Sequence, residues 1–224
     1  IIIIHVNVIL KQQEFKMNFT EKHPGKLFVL SGPSGAGKGT ICKQLLAETE
    51  DLELSVSMTT RAPRNGETEG ISYYFTDKDT FIECIGRGDL LEYAQVYGNY
   101  YGTPKKLVIE KLSQGIDVIL EIDMQGALKV KENYPDGVFI FILPPSMSEL
   151  RKRLTGRGTE TAEAIEMRLG ETVKELSYID KYDYCVVNGV LEEAVARVKA
   201  IVVAEHSKVA FTAEELIERY KEEA

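Results

Sequence analysis

From Lys26 onward, short apolar runs alternate with longer stretches in which apolar residues recur every three or four positions. Leu27-Phe28-Val29-Leu30 is apolar throughout and runs into Ser31-Gly32-Pro33, a buried strand meeting a turn. A helix follows from Thr40 to Glu48 with Ile41, Leu45 and Leu46 inward, and a second strand is predicted from Glu53 to Met58. Residues 59–103 break this rhythm, being rich in tyrosine, glycine and charge. Short strands are expected there around Tyr73-Phe75 and Leu90-Val96, with one helix starting near Asp77 and carrying Phe81, Ile82 and Ile85. Thr103 and Pro104 read as the N-cap and first position of the next helix, where proline's missing N–H costs nothing, and Gly115 closes it.

The run Asp117 to Asp123 is a strand whose β-branched and leucine residues suggest burial on both faces, as in a parallel sheet. A helix over about 125–133, a strand from Val138 to Leu143 and a helix from Ser146 follow, the last with Ser146 and Glu149 in capping-box spacing. Residues 155–160 read as a loop, 162–177 as a helix, Tyr184–Val187 as a strand and 191–206 as a helix. Thr212 and Glu215 are placed to cap a last helix with Leu216, Ile217 and Tyr220 on one face. Strands alternating with helices of these lengths predict an α/β three-layer sandwich on a mainly parallel central sheet.

Composition narrows the function. With 224 residues, 44% hydrophobic and 28% charged, the chain can bury a real core and is not a disordered, collagen-like or coiled-coil sequence. Against 35 Asp and Glu there are 27 Lys and Arg, a net charge of −8. An acidic surface repels nucleic acid and anionic membrane, so neither is expected as a partner, but one basic pocket for a small phosphorylated ligand stays open. Cys42, Cys84 and Cys185 lie far apart without a CxxC pair; their odd number excludes a complete disulfide framework and suits the reduced thiols of a cytoplasm. No apolar run approaches the ~20 residues that span a bilayer. Residues 1–10 are interrupted by His5 and Asn7 and lack both a basic n-region and a small-residue cleavage site. Residues 1–24 are therefore expected to be an extension, with the native start at Met17.

Between the first strand and the first helix stands Gly32-Pro33-Ser34-Gly35-Ala36-Gly37-Lys38-Gly39-Thr40. Such a loop needs glycines because its backbone must curl until N–H groups converge on phosphate oxygens, which side chains would block. The helix N-terminus adds partial positive charge, and Lys38 a full one toward the outer phosphates. The strict pattern asks for Ser or Thr directly after the lysine to touch Mg²⁺; here that place holds Gly39, and Thr40 is the nearest hydroxyl. This is a nucleoside triphosphate loop, which GTPases, motors, helicases and kinases share.

The rest of the chain chooses among them. Arg61-Ala62-Pro63-Arg64 brings two guanidinium groups to one short turn, suited to bidentate phosphate recognition. Tyr73 and Tyr74 follow, then Tyr97, Tyr100 and Tyr101 with Thr103. Tyrosine hydroxyls donate to phosphate and their rings line a base slot, although strand packing accounts equally well for about half of them. Two acids look placed for recognition: Glu92, and Asp123 at the carboxyl end of its strand, where open α/β sheets bind ligands. A carboxylate only accepts hydrogen bonds, and guanine offers N1–H and N2–H₂ donors where adenine offers neither arrangement, so two acids beside a phosphate clamp favour a guanine nucleotide. Arg151, Lys152, Arg153 and Arg157, with Arg168 on the next helix, form the densest basic cluster of an acidic chain, and Gly156 and Gly158 bracket Arg157 as hinges. The cluster reads as a lid closing over ATP.

Ser55-Val56-Ser57-Met58-Thr59-Thr60-Arg61-Ala62-Pro63-Arg64, Gly98-Asn99-Tyr100-Tyr101-Gly102-Thr103, Asp123-Met124-Gln125-Gly126 and Gly156-Arg157-Gly158-Thr159-Glu160-Thr161 together resemble the guanylate kinase family, in order, over roughly residues 25–205. The resemblance implies that Arg61, Arg64, Tyr73 and Tyr101 hold the GMP phosphate, and that Glu92 and Asp123 read guanine with Ser57 and Thr103 assisting. It implies an ATP site from Gly32 to Thr40, and phosphate contacts by Arg157 and Arg168. Glu121 departs from it, standing where the family commonly has Asp. The implied domains are a P-loop core at 25–56 and 104–206 with a lid at about 151–168, an inserted mixed-strand GMP-binding segment at 57–103, and a helical tail at 207–224. The expected reaction is reversible in-line transfer of the γ-phosphoryl group of MgATP to GMP, with Lys38, Arg61, Arg157 and Arg168 stabilising charge. Mg²⁺ is held mainly by ATP phosphates and water, and no obligate protein partner is implied. Two alternatives stand beside this reading: a kinase of another nucleoside monophosphate, and a catalytically inactive protein-binding domain of the same fold.

Overall fold

The computed structural model describes residues 24–96, 98–156, 161–208 and 213–222. The expectations for residues 1–23, Tyr97, Arg157 and the Thr212 cap fall outside them.

Strand β1 (Leu27–Ser31) lies at the centre of a five-stranded sheet with β7 (Asp117–Glu121) on one side and β8 (Val138–Leu143) on the other. Strands β2 (Leu52–Leu54) and β9 (Tyr184–Val187) form the edges, and every pairing is parallel. The alternation of β1 decides which layer each residue joins. Phe28 and Leu30 pack toward α1 (Lys38–Glu48) and α7 (Leu191–His206), together with Ile41, Leu45, Val195 and Val198. Leu27 and Val29 point the other way, into a second layer with Val108 and Leu112 of α3 (Lys105–Ser113) and Ala127 and Val130 of α4 (Met124–Asn133). These four side chains of β1 are 0–1% exposed, which gives a run from Leu27 to Leu30 that is apolar throughout instead of alternating.

The sequence merged two strands into one. Glu53 to Met58 is not a single strand: β2 stops at Leu54 in the parallel sheet, and β3 (Met58–Thr59) belongs to a second sheet. That sheet has the order β4–β3–β6–β5, with β4 (Tyr74–Phe75), β5 (Leu90–Val96) and β6 (Asn99–Pro104). It is mixed: β3 runs parallel to β4 and antiparallel to β6, and β5 is antiparallel to β6. Strand β6 is absent from the sequence reading because its Gly102 and Pro104 are poor strand formers. For the same reason Thr103 does not cap α3. It is a buried strand residue, and Pro104 itself occupies the cap position.

Helix α2 (Lys78–Arg87) covers this sheet, capped by Asp77, whose side chain accepts from Thr80 N–H at 2.8 Å. It buries Phe81 and Cys84 while Ile82 faces outward. Helices α5 (Met147–Thr155) and α6 (Ala162–Leu176) have a separate small core of Leu150, Leu154, Ile165 and Leu169. An Arg151–Glu166 ion pair clips the two helices together. Ser146 accepts from Glu149 N–H at 3.1 Å, one half of the expected box, but the Glu149 carboxylate turns to Arg153 instead. Helix α8 (Ala213–Glu222) follows, with Ile217 and Tyr220 exposed.

Candidate active site

β1 ends at Ser31 and α1 begins at Lys38, so residues 32–37 form the turn at the carboxyl edge of the parallel sheet. Gly32 (φ 137°) and Gly37 (φ 94°) hold backbone conformations that side chains resist. A Cβ at Gly32 would collide with the Ile142 carbonyl, and one at Gly37 with the Asn188 amide. The turn closes through Ala36 N–H donating to Pro33 O at 3.1 Å. Lys38 curls back over it, its Nζ donating to the carbonyls of Gly32 (2.6 Å) and Pro33 (3.2 Å). Helix α1 thus starts two residues earlier than predicted and takes Lys38 and Gly39 into its first turn.

Three residues brace the loop from outside. Buried Asn188 donates from Nδ2 to Ala36 O at 2.9 Å. Arg153 donates to Asn188 O at 3.0 Å and, more loosely, to Ala36 O at 3.5 Å. Arg168 donates to Ser34 Oγ at 2.6 Å, so α6 reaches the loop directly. Of the basic cluster read as a lid, Arg151 and Arg153 are thus engaged within the protein, Arg168 stands at the loop, and Arg157 lies outside the described residues. Asn188 was missed in the sequence. Its one signal is a polar residue directly after the apolar strand β9, at the edge where ligands bind.

The two recognition acids converge. Glu92 of β5 is 7% exposed, and Asp123 stands two residues beyond β7 as the N-cap of α4. A Cβ placed on Gly126 would lie 3.3 Å from Glu92 Oε2 and 3.4 Å from Asp123 Oδ1, so both carboxylates border one small volume. Thr103 Oγ1 donates to Glu92 Oε1 at 2.7 Å, and Gly126 N–H donates to Asp123 Oδ1 at 2.8 Å. Burial raises the Glu92 carboxyl above the usual range; the Thr103 hydrogen bond pulls it back and the charge of Asp123 pushes it up again.

In the arginine turn, Arg61 Nη2 donates to both Glu67 oxygens (2.8 and 3.0 Å), and Glu67 Oε2 also accepts from Arg64 N–H at 2.8 Å. The Arg61 guanidinium lies 5.4 Å from the Tyr73 ring centroid, and Tyr73 meets Tyr101 edge-on at 6.0 Å. Hydrogen bonding to Glu67 keeps Arg61 firmly charged, and Arg61 in turn holds the Glu67 carboxyl low. Glu67 was missed in the sequence, where nothing marks it out from the other acids of a polar loop. The Arg64 side chain is exposed. A cavity lined by Ser55, Ser57, Tyr73, Thr103, Glu121 and Ile122 opens between this turn and the carboxyl end of β7.

Beneath the loop the polar groups are poorly satisfied. Ser31 Oγ, Glu175 Oε2 and the Tyr182 hydroxyl are buried without a well-formed hydrogen bond among the described residues, the Ser31 and Tyr182 hydroxyls lying close enough to influence one another. Burial raises the carboxyls of Glu175 and Glu121, partly offset in each by the charge of Lys38, and pushes the Tyr182 hydroxyl up to about 12. No group of three or more His, Cys, Asp or Glu among the described residues could cage a metal ion. Mg²⁺ does not require one, since it keeps several waters and commonly takes one or two carboxylates plus substrate phosphates. The Glu121 carboxylate beside the loop is a hard oxygen donor of that kind.

Residues 24–205 match the family model described as Guanylate kinase. A guanylate kinase of Clostridium acetobutylicum is 59% identical over 185 residues, covering 83% of this chain and 88% of that protein. One of Clostridium perfringens strain SM101 is 54% identical over 199 residues, covering 89% and 92%. The crystal structure of guanylate kinase from Anaplasma phagocytophilum superposes with a TM-score of 0.68 at 38% identity, covering 88% of this chain and 95% of that one.

Proposed function

The chain belongs to the guanylate kinase family, and from that premise we propose that the site just described transfers the γ-phosphoryl group of ATP to GMP, giving ADP and GDP. The observation that carries the substrate choice is the pair Glu92 and Asp123, two acceptor-only groups bordering one volume next to a phosphate loop. Adenine has an acceptor at N1 and no 2-amino group, so AMP would offer this pair fewer donors than GMP does, and the shortfall falls partly on the buried Glu92.

In this reading the loop from Gly32 to Thr40 cradles the ATP phosphates, and Lys38 leaves its backbone carbonyls to meet them. Arg61, Arg64, Tyr73 and Tyr101 hold the GMP phosphate, and Glu67 fixes the direction of the Arg61 fork. Glu92 and Asp123 accept from guanine N1–H and N2–H₂, with Ser57 and Thr103 beside them. A GMP phosphate oxygen attacks the γ-phosphorus in line as the bond to the ADP oxygen breaks. No protein nucleophile takes part, so the protein contributes position and positive charge. Lys38, Arg61, Arg157 and Arg168 meet the charge on the transferring group. Mg²⁺ on the ATP phosphates would neutralise part of that charge when bound, with Glu121 and Thr40 as nearby oxygens. Closure of the α5–α6 pair excludes water and limits hydrolysis of ATP.

We assign residues 25–56 and 104–206 to the ATP-binding core with a lid at about 151–168, 57–103 to GMP binding, and 207–224 to a tail. The three unpaired thiols suit a reducing cytoplasm, and no helix among the described residues is long and apolar enough to cross a membrane. A coupled ADP-release assay with GMP, AMP, UMP and dTMP tests the reading. Preference for GMP is expected. Preference for another monophosphate moves the chain to a different kinase specificity, and no turnover with any of them leaves a binding domain.

A further inference from the structure

Strand β5 carries Glu92 and stands at the end of the mixed sheet, paired with β6 on one side. On its other side lies α4, the helix that Asp123 caps. Lys129 Nζ donates to Tyr93 O at 2.6 Å, and Asn133 Nδ2 donates to Leu91 O at 2.8 Å. Helix α4 thus grips the strand backbone immediately before and immediately after Glu92. Spacings of three and four put Gly126, Lys129 and Asn133 on one helix face, and Gly126 is the residue that borders both carboxylates. Leu91 secures the docking from within, fully buried beside Ala127 and Val130 of α4. The pairing of β5 with β6 slips between Leu90 and Tyr93, so a regular ladder does not set the place of Glu92. The grip falls where the ladder lapses. The Lys129 ammonium also lies 4.9 Å from the Tyr93 ring centroid, and its charge favours the ionised form of Glu92.

We propose that Lys129 and Asn133 are positioning residues for base selection: they hold β5 to the helix that presents Asp123, and so fix the spacing of the Glu92 and Asp123 carboxylates that separates guanine from a purine without the 2-amino group. Helix α4 is then a ruler with one acid at its start and the other strapped to its side. Two acceptors read one planar base only at the right separation, and a misplacement of about 1 Å can cost ~10²-fold. Guanine presents N1–H and N2–H₂ and needs both acids in place; hypoxanthine presents N1–H alone. Loosening the strap therefore penalises GMP more than IMP and compresses the preference between them, and it leaves ATP at the phosphate loop untouched. Asn133 is neutral, so its variants separate the placing of the strand from the effect of the Lys129 charge on Glu92. The proposal rests on the reading that Glu92 and Asp123 receive guanine.

Steady-state kinetics of the full chain with GMP and with IMP at saturating MgATP, together with KM for ATP, test this. The unaltered protein is expected to favour GMP in kcat/KM. Asn133→Leu and Lys129→Met should each reduce the GMP-over-IMP ratio about 3- to 10-fold, mostly through KM for GMP, and the double variant ~10-fold or more, with KM for ATP within about twofold. Lys129→Arg keeps a cationic donor and should retain the ratio. An unchanged ratio in the double variant overturns the proposal, and so does a loss that falls equally on GMP, IMP and ATP. A reduced ratio in Lys129→Met with the parental ratio in Asn133→Leu assigns the effect to the ammonium charge and overturns the positioning role. An unaltered protein without preference for GMP over IMP overturns the guanine reading first and the proposal with it. Assays run below each variant's melting transition keep loss of fold apart from loss of selectivity.

Discussion

The two edges of the parallel sheet are built from the same kinds of residues and treat them oppositely. At the amino edge the two buried acids, Asp117 and Glu205, have their partners. Asp117 accepts from Lys26 N–H at 2.8 Å and meets His206 Nε2 at 2.8 and 3.0 Å. Glu205 accepts from the Tyr184 hydroxyl at 2.5 Å and pairs with Lys208 at 2.7 Å, while Lys26 Nζ donates to its backbone carbonyl. Burial pushes the Glu205 carboxyl up, yet the hydrogen bonds of Lys208 and Tyr184 and the charges of Lys208 and Lys26 outweigh it and hold the carboxyl low. At the carboxyl edge Glu92, Glu121 and Glu175 are all pushed up by burial, and Ser31, Glu175 and Tyr182 carry buried polar atoms without a well-formed hydrogen bond among the described residues. A buried polar group without a partner costs stability, and such costs gather where a ligand is to supply the missing partner. One edge holds the sheet together, and the other is where we propose that two nucleotides bind.

The edges therefore respond to pH with opposite sign. Glu205 has a folded value below its unfolded one, so its contribution is present above the unfolded value and is lost as pH falls through the folded one. Glu92 has a folded value above its unfolded one, so the folded protein keeps the proton longer and loses stability as pH rises between the two.

The sharpest way to break the comparison is Lys38→Ala. It should lower kcat by ~10²–10³-fold with little change in the melting temperature. Near-normal turnover in the coupled assay would mean that the charge at the carboxyl edge has no chemical task. Next comes Glu92→Gln, expected to cut kcat/KM for GMP by ~10²-fold through loss of a charged acceptor. The same change should raise the melting temperature of the ligand-free protein, more at pH 8 than at pH 5; a lower one at pH 8 would place Glu92 among the stabilising acids. Asp117→Ala tests the amino edge and should cost about 3 kcal/mol in denaturant unfolding while leaving kcat and KM intact below the transition. The smallest effect is expected from Glu67→Gln: GMP KM up about 10-fold with kcat within about twofold, because a neutral amide still fills the turn but holds Arg61 less firmly. Equal losses in both constants would show that Glu67 serves the transferring group itself.

Most of the parallel sheet was legible because its strands are continuous apolar runs: Val138–Leu143 and Tyr184–Val187 match the predicted limits residue for residue. The second sheet was half legible. Its strands are short, β3 and β4 have two residues each, and β6 carries Gly102 and Pro104, so tertiary pairing decides what local preference does not. In the site, residues with a spacing of their own, such as the phosphate loop and the arginine turn, could be read directly. Asn188 and Glu67 could not, nor could the contacts of Arg153 with the loop, because each acts on a neighbour brought near by folding, and for Asn188 and Ala36 the separation is 152 positions. The same holds for Gly39 and Glu121, which stand apart in sequence and meet only because β1 and β7 are neighbours.

The hydrogen bonds from Lys38 to the carbonyls of Gly32 and Pro33 make the loop its own placeholder. The ammonium group has carbonyl partners and the curl it spans is already drawn, so in the reaction we propose binding swaps one set of oxygens for another. In that reaction the segment would have no coil-to-loop transition to complete at each cycle, and product departure would return the lysine to partners a few residues away. Turnover in this proposal is a relay of a single charge between two fixed stations.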